Sequence, residues 1–430
     1  MTFSRLRRAL PLLVLLGWGF HAPGQTPADV RLGELLNDGD LFQLRDEYPR
    51  LKDSLSIGML DLLARSQLGV GFNRPEVAAP ALDSLLQFHQ EALGAESALS
   101  MAALRAMNLL NLGMYAQAGA AGGDLVRALE GSLPFESYIG LVFIERIGKA
   151  LADVPAPRLE RPDRTVTVPM RYEAVGRGHH LYIPVEVNGL ERDFIFDTGC
   201  SFGCFVSERY AKEAGLKIVA DSIPVSGMTV GLVKLATADS LRVGEMVYHH
   251  PFFLVAPPDP EVDAEFTFDG VIGYDLLHAA GEVVIDNDAG VFRFPAQPSD
   301  GASNICLSGN IPRVRIEYEG EPFEMVFDTG NVKSDLDNGF AQRFPDTMAG
   351  LARHTTRRGG FGGIEQVEAA TLHEFRFRAA GCEITLHDTE VICTGPGGGA
   401  MPYNGSLGAD FVRAFRRLTV NYVQMFIRGE

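Results

Sequence analysis

Apolar side chains recur every three or four positions from residue 29 to about 153, and beyond about 165 they fall into short alternating or continuous runs. The period changes once, and the predicted structure changes with it from helix to strand. The helical stretch contains SLSIGMLDLLARSQLGV, EVAAPALDSLLQFHQEAL, ESALSMAALRAMNLLNLG and FESYIGLVFIERIGKALAD, each with one apolar stripe and punctuated by Gly, Pro and Asn. The Pro- and charge-rich segment ADVPAPRLERPDRT (152–165) reads as a linker. After it, TVTVPMRYEAV, HHLYIPVEVNG, RDFIFDTG and EVVIDNDAGVFRF are β-branched and aromatic runs that predict strands joined by turns. A second breaker segment, PAQPSDGASN (295–304), divides the strand-rich part in two. The expected organisation is multidomain: residues 26–155 form an all-α helical domain, and residues 165–297 and 305–430 form two all-β blocks.

The two β blocks are copies of each other. VEVNGLERDFIFDTG in the first answers IEYEGEPFEMVFDTG in the second, with an offset of 131 between Gly189 and Gly320 and again between Asp197 and Asp328. GVIGYDLL answers GSLGADFV, with Gly273 and Gly408, and Asp275 and Asp410, each 135 apart; Ile285 and Val420 in the following strands keep that offset. Three landmarks in order, separated by a net insertion of only four residues, indicate an internal duplication.

Composition narrows the function. The chain has 430 residues, 46% apolar and 22% charged, the balance of a globular protein. Beyond the N-terminus no uninterrupted apolar stretch nears the roughly 20 residues of a membrane helix, so no stable membrane span is expected. Its first 25 residues carry Arg5, Arg7 and Arg8, then ALPLLVLLGWGF and HAPGQ, the order of a secretory signal peptide. Export to a periplasm or the extracellular space is the expectation. A net charge of −17 argues against nucleic acid as a partner, since phosphate binding needs clustered Lys and Arg. The five cysteines, Cys200, Cys204, Cys306, Cys382 and Cys393, permit up to two bridges in an oxidising compartment, and Cys382 and Cys393 are read as lying on neighbouring, pairable strands. The adjacent His pairs at 179 and 249 lack metal-ligand spacing, so neither metal nor cofactor is expected.

Each copy has one plan: a hairpin, an apolar strand (FIF or MVF), Asp-Thr-Gly, a Gly-containing middle section, then apolar-apolar-Gly-x-Asp. This plan resembles that of the retropepsin-like and pepsin-like aspartic peptidases, over roughly residues 165–430. The resemblance implies two acid-protease-like barrel lobes fused in tandem and an aspartic endopeptidase. In such enzymes one carboxylate activates a water while a protonated partner polarises the peptide carbonyl. Asp197 and Asp328 are then the catalytic pair, Thr198 and Thr329 lock the loops by reciprocal hydrogen bonds, and Gly199 and Gly330 permit the tight turn. Gly227 and Gly231 in VSGMTVGLVK, and Gly360, Phe361 and Gly362 in RRGGFGGIEQ, are candidates for β-hairpin flaps over a peptide or protein substrate.

The fourth loop position departs from the Ser, Ala or Thr of that family: it is Cys200 in one copy and Asn331 in the other. The Asn331 side chain is expected to donate beside Asp328 and lower its pKa. No base stands beside Cys200 or Cys204, which reads both as structural rather than nucleophilic. In the helical part, NLLNLGMYAQAGAAGGDLVRAL resembles the helix-turn-helix of a tetratricopeptide-type repeat, which implies a protein partner for that region. Two other readings stand beside the enzyme. One is a catalytically degenerate peptide-binding or structural module of the same fold; the other makes the helical region a scaffold, or a propeptide spanning residues 26–153.

Overall fold

The computed structural model describes residues 25–227, 229–265, 267–393 and 404–430. The predicted signal peptide therefore lies outside the described residues. The chain divides into two compact units, Met1–Ala156 with Cys306–Ser308, and Pro157–Ile305 with Gly309–Glu430. The architecture is helical first and β-rich after it.

The helical unit contains helices Pro27–Asp38, Leu41–Leu51, Gly58–Gly71, Pro75–Phe88, Gln90–Asn111, Tyr115–Leu129 and Ile139–Ala150. The first six form three successive helical pairs, each turning through one left-handed residue: Gly39 (φ 69°), Asn73 (φ 58°) and Gly113 (φ 68°). The second and third turns share one hydrogen-bond pattern, with Arg74 N–H donating to Gly69 O and Met114 N–H to Leu109 O. Gly39 and Asn73 are 34 residues apart but Asn73 and Gly113 are 40. The wider step contains Gly94, whose φ of 73° kinks the Gln90–Asn111 helix. The last two helices approach through glycine: Gly148 lies against the Gly119 backbone and the Tyr115 carbonyl, and a Cβ at Gly122 would come within 2.9 Å of the Glu145 nitrogen.

In the β-rich unit the two copies share one order of seven strands, within larger sheets of eleven and eight described strands. The first runs Gly178–Val187, Leu190–Phe196, Gly270–Ile272, Cys204–Ser207, Phe252–Ala256, Val230–Thr237, Lys217–Ser226. The second runs Ile311–Tyr318, Glu321–Phe327, Gly405–Leu407, Asp335–Leu336, Cys382–Ile392, Gly363–Ala379, Arg353–Gly360. Both opening hairpins turn through a pair of left-handed residues, Asn188 and Gly189 (φ 52° and 81°) and Glu319 and Gly320 (φ 51° and 81°). That geometry follows the twist of the strands. In each sheet a short strand from late in the copy inserts parallel to the strand that ends at Asp-Thr-Gly: Ile272 pairs with Phe196, and Leu407 with Phe327.

A third sheet, ordered Val166–Pro169, Val291–Phe294, Glu282–Asp286, Arg417–Asn421, Phe426–Gly429, joins the copies. At its centre Val284 pairs antiparallel with Thr419. Those residues are 135 apart, the offset of the duplication in this region, so a pseudo-twofold axis passes through that pair.

Cys382 and Cys393 do not face each other across strands. Cys382 begins and Cys393 follows the single strand Cys382–Ile392, which separates them by roughly 35 Å at about 3.3 Å per residue. All five cysteines are free thiols.

The glycine contacts between the last two helices predict a sign. Ala for Gly in an exposed helix interior stabilises by up to about 1 kcal/mol. Gly148→Ala is expected instead to destabilise by about 1–3 kcal/mol, because its methyl drives into the Gly119 backbone. A lowered denaturant midpoint checks this.

Candidate active site

Each Asp-Thr-Gly loop is launched from a fully buried phenylalanine, Phe196 or Phe327. The inserted short strand fixes the loop's first peptide, with Asp197 N–H donating to Ile272 O (3.1 Å) and Asp328 N–H to Leu407 O (3.0 Å). Behind each loop, Tyr274 N–H donates to Cys200 O and Ala409 N–H to Asn331 O, both at 2.9 Å. The neighbouring glycines leave no room for a side chain there: a Cβ on Gly408 would sit 2.5 Å from the Asn331 carbonyl oxygen, and Gly273 is packed similarly against Cys200. The Asp that closes the Gly-x-Asp motif holds the outgoing chain. Asp275 accepts from Gly203 N–H (2.6 Å), and Asp410 accepts from both the amide (2.7 Å) and the hydroxyl (2.5 Å) of Ser334.

The loops meet through their threonines, both 0% exposed. Thr198 Oγ1 accepts from Thr329 N–H (3.1 Å) and donates to Phe327 O (2.7 Å). Thr329 Oγ1 accepts from Thr198 N–H (3.1 Å) and donates to Phe196 O (2.6 Å). Four hydrogen bonds thus tie the loops together with every donor and acceptor used.

This brings Asp197 and Asp328 face to face. Each has one carboxylate oxygen held by its own loop: Asp197 Oδ1 accepts from Gly199 N–H (2.7 Å) and Cys200 N–H (3.2 Å), and Asp328 Oδ1 from Gly330 N–H (3.0 Å) and Asn331 N–H (3.2 Å). The glycines serve a different end from the one their place in a turn suggests. Neither Gly199 nor Gly330 has a positive φ. Instead, a Cβ on Gly199 would lie 2.5 Å from the Asp328 carboxyl, and one on Gly330 2.5 Å from that of Asp197. Hydrogen at this position lets the opposite carboxylate approach.

Burial raises the pKa of both carboxyls, and for Asp197 the Asp328 charge and their mutual hydrogen bond raise it further. For Asp328, hydrogen bonds from Asp197 and from the amides of Asn331 and Gly330 oppose the rise. The pair therefore holds one proton to higher pH than an isolated carboxylate. The expected lowering at Asp328 by the Asn331 side chain is not found. Only the Asn331 backbone serves Asp328; its side chain hydrogen-bonds the Asp335 carboxyl, four residues along. Burial pushes the thiols of Cys200 and Cys204 far up, so neither is a thiolate nucleophile near neutral pH.

The hairpins that hold the Gly-rich segments converge. Phe361, at the turn between Arg353–Gly360 and Gly363–Ala379, packs edge-on against Phe205 with centroids 5.0 Å apart. It also fills a notch made by Gly227 and Gly231 of the other hairpin; a Cβ on Gly231 would lie 2.7 Å from the Phe361 ring. Thr229 Oγ1 donates to Gly362 O at 2.7 Å. Gly360 ends its strand in register with Gly363. Sequence reasoning missed Phe205, Asp335 and Arg358. Arg358 Nη2 meets Asp335 Oδ2 at 2.9 Å, and burial pushes the Asp335 carboxyl up to about 6 against that pull. Asp335 lies opposite Ser406 as Phe205 lies opposite Val271, so the second copy carries a charge where the first has an aromatic ring.

A model of the aspartyl protease family matches residues 183–276, the first copy. Among solved structures, the chain is similar to a retropepsin-like aspartic protease from Rickettsia conorii (18% identity, 32% of this chain and 91% of that one, TM-score 0.22). It is also similar to the retroviral protease-like domain of Ddi1 from Leishmania major (16% identity, 33% and 93%, TM-score 0.19). A third similarity is to Basic 7S globulin from soybean (11% identity, 62% and 94%, TM-score 0.34). No curated protein matches the chain.

Two outcomes are expected. A carboxyl whose folded pKa is raised stabilises the fold fully only below its unfolded value near 3.9, and that contribution is lost as pH rises through the folded value. Asp197→Asn escapes this loss, so at pH 7 its Tm should exceed that of the unsubstituted protein by roughly 2–4 °C, with the gap closing near pH 3. Thr198→Val should destabilise by about 1–3 kcal/mol for each of the Thr329 N–H and Phe327 carbonyl it leaves unpaired, read from denaturant unfolding.

Proposed function

We propose that the protein is an exported aspartic endopeptidase in which two tandem lobes each supply one member of a catalytic dyad. The observation that carries this reading is the reciprocal seating of each carboxyl against the opposite loop's glycine, which leaves two like-charged groups sharing one proton. The ionised carboxyl of the pair takes a proton from a water between Asp197 and Asp328. Its protonated partner donates to the carbonyl oxygen of the scissile peptide as the tetrahedral intermediate forms; on collapse the first carboxyl passes its proton to the leaving nitrogen as the C–N bond breaks, and the partner recovers a proton from a hydroxyl of the intermediate. No covalent intermediate is needed. The converging glycine-rich hairpins act as flaps, covering an extended peptide and excluding water from the reaction.

The helical region is proposed to present a tetratricopeptide-like surface to a protein partner, on the strength of its three repeated helical turns. Export rests on the charged, apolar and small-residue order of the first 25 residues.

Hydrolysis of a mixed unfolded peptide pool, followed by mass spectrometry from pH 3 to 8, tests the enzyme reading. A bell-shaped profile is expected, its basic limb set by loss of the proton the dyad shares. Asp197→Asn and Asp328→Asn should each lower kcat by about 10²–10⁴-fold. An inert unsubstituted chain at every pH that still retains peptides would favour the binding module instead.

A further inference from the structure

The two sides of the dyad differ in chemistry although the backbone repeats. Beside Asp197 the chain continues through Cys204 and Phe205, and Phe361 closes over the ring of Phe205. At the equivalent position beside Asp328 stands Asp335, whose carboxyl interacts electrostatically with Asp328. Above it, the strand Arg353–Gly360 turns Thr356, Arg358 and Gly360 inward, with Arg357 and Gly359 more exposed between them. Arg358 reaches Asp335 from that inward face. Next to Asp335 in the sheet is Glu390, which binds Arg177 Nη1 (2.7 Å) and His354 Nε2 (3.0 Å); Arg177 also donates to Thr356 Oγ1. One side of the site is aromatic, and the other is an array of paired charges.

Within that array the hydrogen-bonding capacity is uneven. Asp335 accepts from Arg358, from the Ser406 amide and from the Asn331 side chain, which leaves it little further capacity. Arg358 spends one nitrogen on Asp335, and its remaining donors have no partner among the described residues. About a third of its side chain is exposed. A guanidinium fixed at one corner, with its other N–H groups open, is suited to a second carboxylate.

We propose that Arg358, oriented by Asp335, is a specificity determinant that binds an acidic side chain of the peptide, so that the cleft selects Asp or Glu on the Asp328 side and an apolar residue on the Phe205 side. This rests on the reading of the dyad cleft as a peptide site, though not on its being catalytic. Asp335 and Arg358 belong to the second copy alone, and in the strand register Asp335 stands where the first copy has Phe205.

The test uses the full chain carrying Asp197→Asn, which removes cleavage on the far side of the dyad and leaves Arg358 in place. Immobilised protein is offered synthetic octapeptide pools that differ only in Glu against Gln, or Asp against Asn, at one scanned position, and the retained peptides are quantified by mass spectrometry. Acidic members should be retained about tenfold over their amides at one position, the size expected of a charge-assisted hydrogen bond. The ratio should fall to about one with Arg358→Gln and be partly kept with Arg358→Lys, while Tm stays within a few degrees. Equal retention of acid and amide, a ratio unmoved by Arg358→Gln, or no retention at all overturns the proposal. Cleavage by the unsubstituted chain is scored separately. If that chain cleaves without acidic preference, only this inference fails; if acidic peptides are retained but never cut, the endopeptidase reading fails and this one stands.

Discussion

The hydrogen bonds between Thr198 and Thr329 are the constraint on which the β-rich unit is built. Each hydroxyl donates to the carbonyl that precedes the opposite Asp and accepts from the opposite threonine's amide, in a place with no water to substitute for a lost partner. Neither loop can complete its hydrogen bonding alone. That dependence explains the rest of the local design: a buried phenylalanine before each Asp, a parallel strand to fix the first peptide, and a carboxylate from Asp275 or Asp410 to hold the exit. With the backbone held on every side, the carboxyls of Asp197 and Asp328 have little freedom to separate, and their mutual repulsion is resolved by keeping a proton rather than by moving apart.

The same economy of space appears in the glycines. Gly199 and Gly330 are where the opposing acid sits, and Gly227 and Gly231 are where Phe361 sits. In both cases the missing methylene makes room for a partner from the other copy. Packing, rather than backbone torsion, sets the residue type at these four positions.

Much of this could be read from the sequence because it is written locally. The change of period near residue 160, the repeated apolar strand before Asp-Thr-Gly, and the Gly-x-Asp echo all follow from short-range alternation and turn chemistry. The pairing of Phe361 with Phe205, and of Arg358 with Asp335, depends on where a long hairpin folds back, which spacing does not encode. Asn331 misled for a related reason: its neighbour in sequence is Asp328, but its side chain points along the outgoing strand to Asp335. Cys382 and Cys393, read as lying on neighbouring strands, instead bracket one uninterrupted strand, whose continuity local spacing does not reveal. In the helical unit the left-handed turn residues Gly39 and Asn73 are 34 apart, whereas Asn73 and Gly113, with the kink at Gly94 between them, are 40 apart.

The pseudo-twofold axis through Val284 and Thr419 relates two backbones that are alike and two sets of side chains that are not. A dimer of identical chains would look the same to an extended polymer entering from either end. Here rotation about the axis exchanges an aromatic wall for a salt-bridged one, so, on the proposed reading of a peptide site, the two ways of threading a chain would differ in energy. Fusing the copies into one polypeptide lets the two walls differ, and under the proposed function that difference would distinguish a sequence from its reverse.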